Sequence, residues 1–207
     1  MKGLLQKLFN PGRKKVVTVV SGLPRSGTSM MMKMLEAGGI PPLTDHDRKA
    51  DDDNPKGYFE FERVKKMDEG DVSWLVDAQG KAVKVISQLL KYLPVDYEYR
   101  VIFMRRNMDE ILASQKKMLI NRGEDPNKAD DEEISALFEK HLQSVISWLR
   151  TQPNVSALYI HYTDMLTNPI PQVMQINQFM GGWMDTEAMA SVVDPNLYRN
   201  RKEKLQV

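Results

Sequence analysis

A β-branched run, Val16-Val17-Thr18-Val19-Val20, breaks at Ser21-Gly22 and is followed by a helical stretch from Thr28 to Ala37. No other feature restricts the fold of this chain as strongly. Branched side chains crowd a helix but pack well on a pleated surface, so the run predicts a buried strand. Gly38-Gly39 and then Pro41-Pro42 supply the stop signals of the helix in the expected order. The unit is strand, glycine loop, helix, with the loop at the carboxyl end of the strand.

Three further segments, Lys81 to Ile86, Arg100 to Met104 and Ser156 to Tyr162, carry the pattern of strands. Helices separate them. Asn107 is placed to cap one, with Glu110 three residues on where a capping box has its acid, and this helix should run to about Arg122 and end at Gly123. Ile134, Leu137, Phe138, His141, Leu142, Val145, Trp148 and Leu149 form the clearest helical stripe. Pro171 suits the first turn of another helix that ends at Gly181-Gly182. The acidic stretch Thr44 to Asn54 and the charged stretch Gly123 to Asp131 read as loops. Strands alternating with helices predict an α/β fold in three layers, a mostly parallel sheet with helices on both faces.

With 207 residues the chain fits one domain, expected over residues 16–207. Residues 1–15 form a separate basic, amphipathic segment, with Leu4, Leu5, Leu8 and Phe9 on one helical face. A docked surface helix is favoured there over an interfacial membrane anchor. No apolar run reaches the roughly 18–20 residues of a membrane span.

Composition removes several chemistries. Cys 0 excludes disulfides, thiol catalysis and the usual zinc sites, and fits a reducing, cytoplasmic location. His46, His141 and His161 are too widely spaced to form an imidazole cluster. A formal charge of +1 disfavours a pervasive nucleic-acid surface but allows local anion sites. Catalysis must then rest on carboxylates, lysine, arginine, hydroxyls or a bound cofactor.

The loop Ser21-Gly22-Leu23-Pro24-Arg25-Ser26-Gly27-Thr28-Ser29 lies where a phosphate cradle works. Its glycines let the backbone approach an anion, and N–H groups at the helix start point at it. Gly22 and Gly27 have the glycine spacing of a nucleotide P-loop, yet Thr28 stands in the lysine position and Ser29 fills the hydroxyl position. Arg25 is the only cation inside the loop. Loss of that lysine argues against ATP or GTP hydrolysis and favours a less charged 5′-phosphate group. Pro24 through Ser29 resembles the 5′-phosphosulfate loop of the sulfotransferases, and its arginine is closer to the tyrosylprotein sulfotransferase variant than to the cytosolic small-molecule enzymes.

A second anion site is expected at the end of the third strand. Arg106 precedes Asn107, and Ser114 follows eight residues after Arg106, almost two helical turns beyond the cap. An arginine fork and a serine hydroxyl could grip one phosphate from two sides. Arg106-Asn107-Met108-Asp109 through Ser114 resembles the sulfotransferase 3′-phosphate motif, with Met108 in place of its usual proline. Leu158 through Pro169 is similar to the family's Tyr-Glu-Asp-Leu…Pro segment, with Thr163 in place of the glutamate. By that resemblance Tyr162 lies beside the adenine. The basic C-terminal loop of cytosolic members is missing, and Tyr198-Arg199-Asn200-Arg201 is its only substitute.

The resemblance spans roughly Val16 to Gly182 and implies a P-loop NTPase-like sulfotransferase fold. It implies 3′-phosphoadenosine 5′-phosphosulfate (PAPS) as donor, a hydroxyl or amine acceptor of unread identity, and in-line transfer without a metal. Arg25 and Lys84 are expected to stabilise charge, and Asp45, then His46, then Glu60 are the candidate bases. Two rival readings are a small P-loop kinase or phosphotransferase and a noncatalytic nucleotide-binding domain. His141 and the methionines Met30, Met31 and Met34 are read as packing.

Overall fold

In the computed structural model, which describes residues 16–45, 57–126 and 129–194, the branched run forms β1 (Val16–Gly22) and the following stretch forms α1 (Thr28–Ala37). β2 (Ala82–Lys84), β3 (Glu98–Arg105) and β4 (Val155–His161) complete a parallel sheet in the order β2-β1-β3-β4. Val19 stands in register with Val83 on one side and Val101 on the other, and Phe103 pairs with Tyr159. Residues 1–15, the candidate base His46 and the basic substitute Tyr198–Arg201 lie outside the described residues.

The two-residue period of the strands divides the core into two layers. Val20, Ala82, Ile102, Met104 and Ile160 face one way. There they meet Met31, Met32, Met34 and Leu35 of α1, Met165 and Leu166 of α4 (Tyr162–Thr167), Val173, Ile176 and Met180 of α5 (Pro169–Met180), and Met189 of α6 (Thr186–Ser191). Val17, Val19, Val83, Tyr99, Val101 and Phe103 face the other way. That side is covered by Val145 and Leu149 of α3 (Asp131–Thr151) and by three 3₁₀ helices, Glu62–Glu69, Ser73–Val76 and Ser87–Tyr92. The expected α/β fold, with helices on both faces of a parallel sheet, is the observed one. The methionines of α1 are core: Met31, Met32 and Met34 are 0% exposed, and Met30 packs against them. Unbranched, polarisable side chains fill the irregular gap between α1 and the three short C-terminal helices.

Several local expectations need correction. The second strand is only three residues long, because after one more bond, from the Val85 N–H to the Val20 carbonyl, the chain turns into the 3₁₀ helix at Ser87. Tyr162 opens α4 instead of ending β4. On α3 Leu137 belongs to the apolar stripe in sequence but is 66% exposed, since α3 outruns the surface it covers. Asn107 does cap α2 (Met108–Asn121), its side chain accepting from the Asp109 N–H, but the Glu110 carboxylate is turned to Arg106.

β1 is followed by a strand on one side and then, after the chain crosses over, by a strand on the other. In an open parallel sheet this reversal leaves a crevice at the carboxyl ends of the two strands involved. The glycine loop leaves β1 there and Arg106 leaves β3 there.

Candidate functional site

The loop begins with a tight approach between neighbouring strands. Gly22 has φ of 150°, and a Cβ there would come within 2.7 Å of the Met104 carbonyl on β3. At the other end Gly27 has φ of 97° and serves as the N-cap of α1. A Cβ on Gly27 would run into the Cδ2–Cε2 edge of Tyr162, 2.9 Å from Cε2. Glycine is therefore needed at both ends, for backbone conformation and for space. Between them Pro24 is exposed and Arg25 half-buried, while Ser26 is 1% exposed, its hydroxyl without a hydrogen-bond partner among the described residues. A buried hydroxyl without a partner costs free energy unless a ligand supplies one. That hydroxyl, at the foot of a loop ending on a helix N-terminus, fits an anionic group seated on the loop.

The structure brings the two sequence motifs into direct contact. Arg25 Nε donates to Ser114 Oγ at 2.9 Å, across 89 positions of sequence. Arg106 Nη1 donates to the Arg25 carbonyl at 2.9 Å and Arg106 Nε to Glu110 Oε2 at 3.0 Å. Its guanidinium carbon lies 4.3 Å from the centroid of the Tyr162 ring, a cation–π distance. Of the two arginines ending β3, Arg105 is exposed, whereas the Arg106 side chain is only 7% exposed. Tyr162, 7% exposed, is thus packed against Gly27 and Arg106, bracing loop and strand end together.

A second group of candidates gathers at the start of α1. Thr28 is the first residue of that helix. Ser29 Oγ lies 3.4 Å from Lys84 Nζ, and Lys84, with its side chain 12% exposed, also donates to the Tyr58 carbonyl. Its ammonium lies 4.0 Å from Glu60 Oε1, and Lys65 Nζ lies 3.9 Å from Glu60 Oε2. Lys84 is therefore turned inward from the end of β2 and not out to solvent. Asp45 is adjacent to Glu60, its N–H donating to the Glu60 carbonyl at 3.4 Å. Its carboxylate accepts from the Glu62 N–H at 2.6 Å and ties the start of the first 3₁₀ helix. Thus the Glu60 carboxylate lies within 4.0 Å of the Lys84 ammonium, whereas the Asp45 carboxylate holds the Glu62 N–H at the start of the 3₁₀ helix.

Two participants escaped sequence reasoning. Glu110, 1% exposed, pairs with Arg106, and Tyr58 supplies the carbonyl that Lys84 and Ser29 both contact. The signal for Glu110 was present, since it lies four residues after Arg106 and four before Ser114, one helical turn each way. Nothing local signals Tyr58. His141 is hydrogen-bonded not to this group but through Nε2 to Ser87 Oγ at 2.8 Å, as expected of a packing role. Among the described residues no cluster of three or more histidine, cysteine or acidic side chains is arranged to hold a metal ion. No helix among them is long and apolar enough to cross a membrane.

The family model described as a sulfotransferase domain matches residues 16–205. Among solved structures, the sulfotransferase domain of the Synechococcus PCC 7002 olefin synthase is 16% identical with a TM-score of 0.52, over 95% of this chain and 85% of that one. The mouse sulfotransferase SULT7A1, solved in complex with PAP, is 20% identical with a TM-score of 0.55, over 88% of this chain and 64% of that one. The sulfotransferase domain of the curacin biosynthetic pathway is 14% identical with a TM-score of 0.51, over 94% and 96% of the two chains. At these identities the likeness is one of fold. No curated protein matches the sequence.

Proposed function

The chain belongs to the sulfotransferase domain family and is a sulfotransferase, and from that premise we propose that it moves a sulfuryl group from PAPS to a hydroxyl or amine acceptor. The observation that carries this reading is the contact between Arg25 and Ser114, which joins a 5′-phosphate loop to a 3′-phosphate motif in one site. A nucleotide phosphorylated at both ends of its ribose would meet both. The donor, when bound, supplies an activated sulfuryl group on a phosphate that can leave.

The remaining chemistry falls to this chain. Gly22, Ser26, Gly27 and Thr28 offer backbone or hydroxyl donors to the 5′-phosphate, while Ser114 and Arg106 serve the 3′-phosphate. Tyr162 stands beside the adenine as a brace more than as a stacking platform, because Gly27 and Arg106 already pack on its ring. Lys84, Ser29 and Arg25 stabilise negative charge that grows on the leaving phosphate oxygen. Glu60 takes the proton of the acceptor. A new bond from sulfur to the acceptor oxygen (or nitrogen, for an amine) forms as the S–O bond to the 5′-phosphate breaks, and that electron pair stays on the phosphate. We rank Glu60 ahead of Asp45 because Glu60 lies 4.0 Å from the Lys84 ammonium, whereas the Asp45 carboxylate is held by the Glu62 N–H. The charge in this scheme is met by Arg25, Lys84 and backbone donors, so we expect transfer without a metal.

The test is transfer of label from sulfur-labelled PAPS to a panel of phenols, sugars, amines and tyrosine peptides in the presence of EDTA. Label in an acceptor, with PAP released in equal amount, is the expected result. Magnesium-dependent phosphoryl transfer from ATP to the same panel, without sulfuryl transfer, would overturn it in favour of a kinase.

A further inference from the structure

Among the described residues only Arg25 and Phe59 combine a side chain with a positive φ, and Arg25, at 68°, lies in the middle of the glycine loop. A left-handed backbone at a long side chain persists only where the surroundings enforce it. Arg25 is held at both ends. Its carbonyl accepts from Arg106 Nη1 at 2.9 Å, and its own Nε donates to Ser114 Oγ at 2.9 Å. Arg106 is fixed in turn by Glu110, at 3.0 Å, with side chains 7% and 2% exposed. Glu110 and Ser114 lie one turn apart on α2. Glu110, Arg106, Arg25 and Ser114 therefore form a closed circuit that returns to the helix it started from.

We infer that Glu110 is a positioning residue for the 5′-phosphate loop. By holding Arg106 against the Arg25 carbonyl, it keeps Arg25 in the left-handed conformation that sets the path of the loop through Ser26 to the Gly27 cap of α1. Arg106 then has two duties, as a phosphate ligand and as the strut between α2 and the loop. The consequence is specific. Disturbing a carboxylate on the 3′-phosphate helix must weaken binding of a nucleotide that has no 3′-phosphate. This inference rests on the nucleotide reading given above.

The experiment uses the full chain, isotopically labelled for NMR, and titrates adenosine 5′-phosphate and PAP into the wild type, Glu110→Gln and Arg106→Lys. Arg106→Lys keeps a cation beside Glu110 but lacks the fork that reaches the Arg25 carbonyl, so it serves if Glu110→Gln folds poorly. Both variants are expected to weaken both nucleotides by at least roughly tenfold, the scale of one lost charge-assisted hydrogen bond. The Ser26 and Gly27 amide resonances should move in the ligand-free variants. In an Arg25→Gly background, where positive φ needs no enforcement, Glu110→Gln should add little further loss for adenosine 5′-phosphate. Weaker PAP with unchanged adenosine 5′-phosphate and unmoved amides would overturn the inference, leaving Glu110 a partner of the 3′-phosphate ligand alone. A lower melting temperature with both affinities unchanged would overturn it as well, assigning Glu110 to stability. A wild type that binds neither nucleotide would instead overturn the nucleotide reading, and this inference with it.

Discussion

Gly27 is constrained twice, by its φ of 97° and by the ring edge of Tyr162. Alanine there would incur both the left-handed penalty and overpacking, together about 2–5 kcal/mol. Gly27→Ala should therefore lower the urea midpoint markedly and abolish measurable PAP binding, whereas Gly80→Ala, strained by a φ of 75° but with open space at its Cβ, should cost less and spare binding. Equal effects of the two substitutions would contradict the Tyr162 brace. The second residue-scale question is the base. Glu60→Gln should lower the transfer rate by roughly 10²–10⁴-fold with little change in PAP affinity, the range expected for loss of a general base. Asp45→Asn should change it far less, through the 3₁₀ helix it caps. The reverse ranking in a labelled-donor assay would return Asp45 to first place.

At the scale of elements, what the sequence made legible was the part governed by local pattern. β1, with its five branched residues, and α1, closed by two glycines, were readable with small boundary errors because period and stop signals agree there. The three 3₁₀ helices were not readable. They are short, and Glu62–Glu69 is largely polar, with only Val64 and Met67 buried, so no apolar period betrays it. Arg25, Arg106 and Ser114 could be named from spacing, but their mutual contact depends on which strands neighbour β1, a property of the whole sheet. Glu60 was underrated for a related reason: 24 positions separate it from Lys84, and the strap that joins them is made of turns and two of these 3₁₀ helices, which carry no apolar period.

Packing between elements supplies a pH dependence. Burial, with a smaller contribution from Lys91, lowers the pKa of His141, which links α3 to the 3₁₀ helix Ser87–Tyr92 through Ser87. The unfolded chain then binds a proton at this histidine more readily than the folded one. The stability associated with neutral His141 is complete above the ordinary value near 6.5 and is lost as pH falls through the lowered folded value. Urea midpoints should therefore drop more steeply on acidification below about pH 6.5 in the wild type than in His141→Gln. Parallel profiles would contradict this assignment.

At the scale of the molecule, a formal charge of +1 conceals a strongly local arrangement of cations. Arg25, Lys84 and Arg106 come from three different strand ends, and the sheet order β2-β1-β3-β4 gathers those ends along one carboxyl edge. The core that fixes this edge is two-sided, and its methionine-rich layer lets the short C-terminal helices close over α1. The central claim is that this edge holds one nucleotide phosphorylated at both its 5′ and 3′ positions. The most direct measurement is calorimetric titration of the full chain with PAP in EDTA, set against adenosine 5′-phosphate in EDTA and against ATP and GTP with magnesium, and repeated on Arg106→Ala. The account predicts that PAP binds tightest, without metal, and that Arg106→Ala removes most of its advantage over adenosine 5′-phosphate. Tighter magnesium-dependent binding of ATP or GTP, or an Arg106→Ala variant with undiminished PAP affinity, would contradict it.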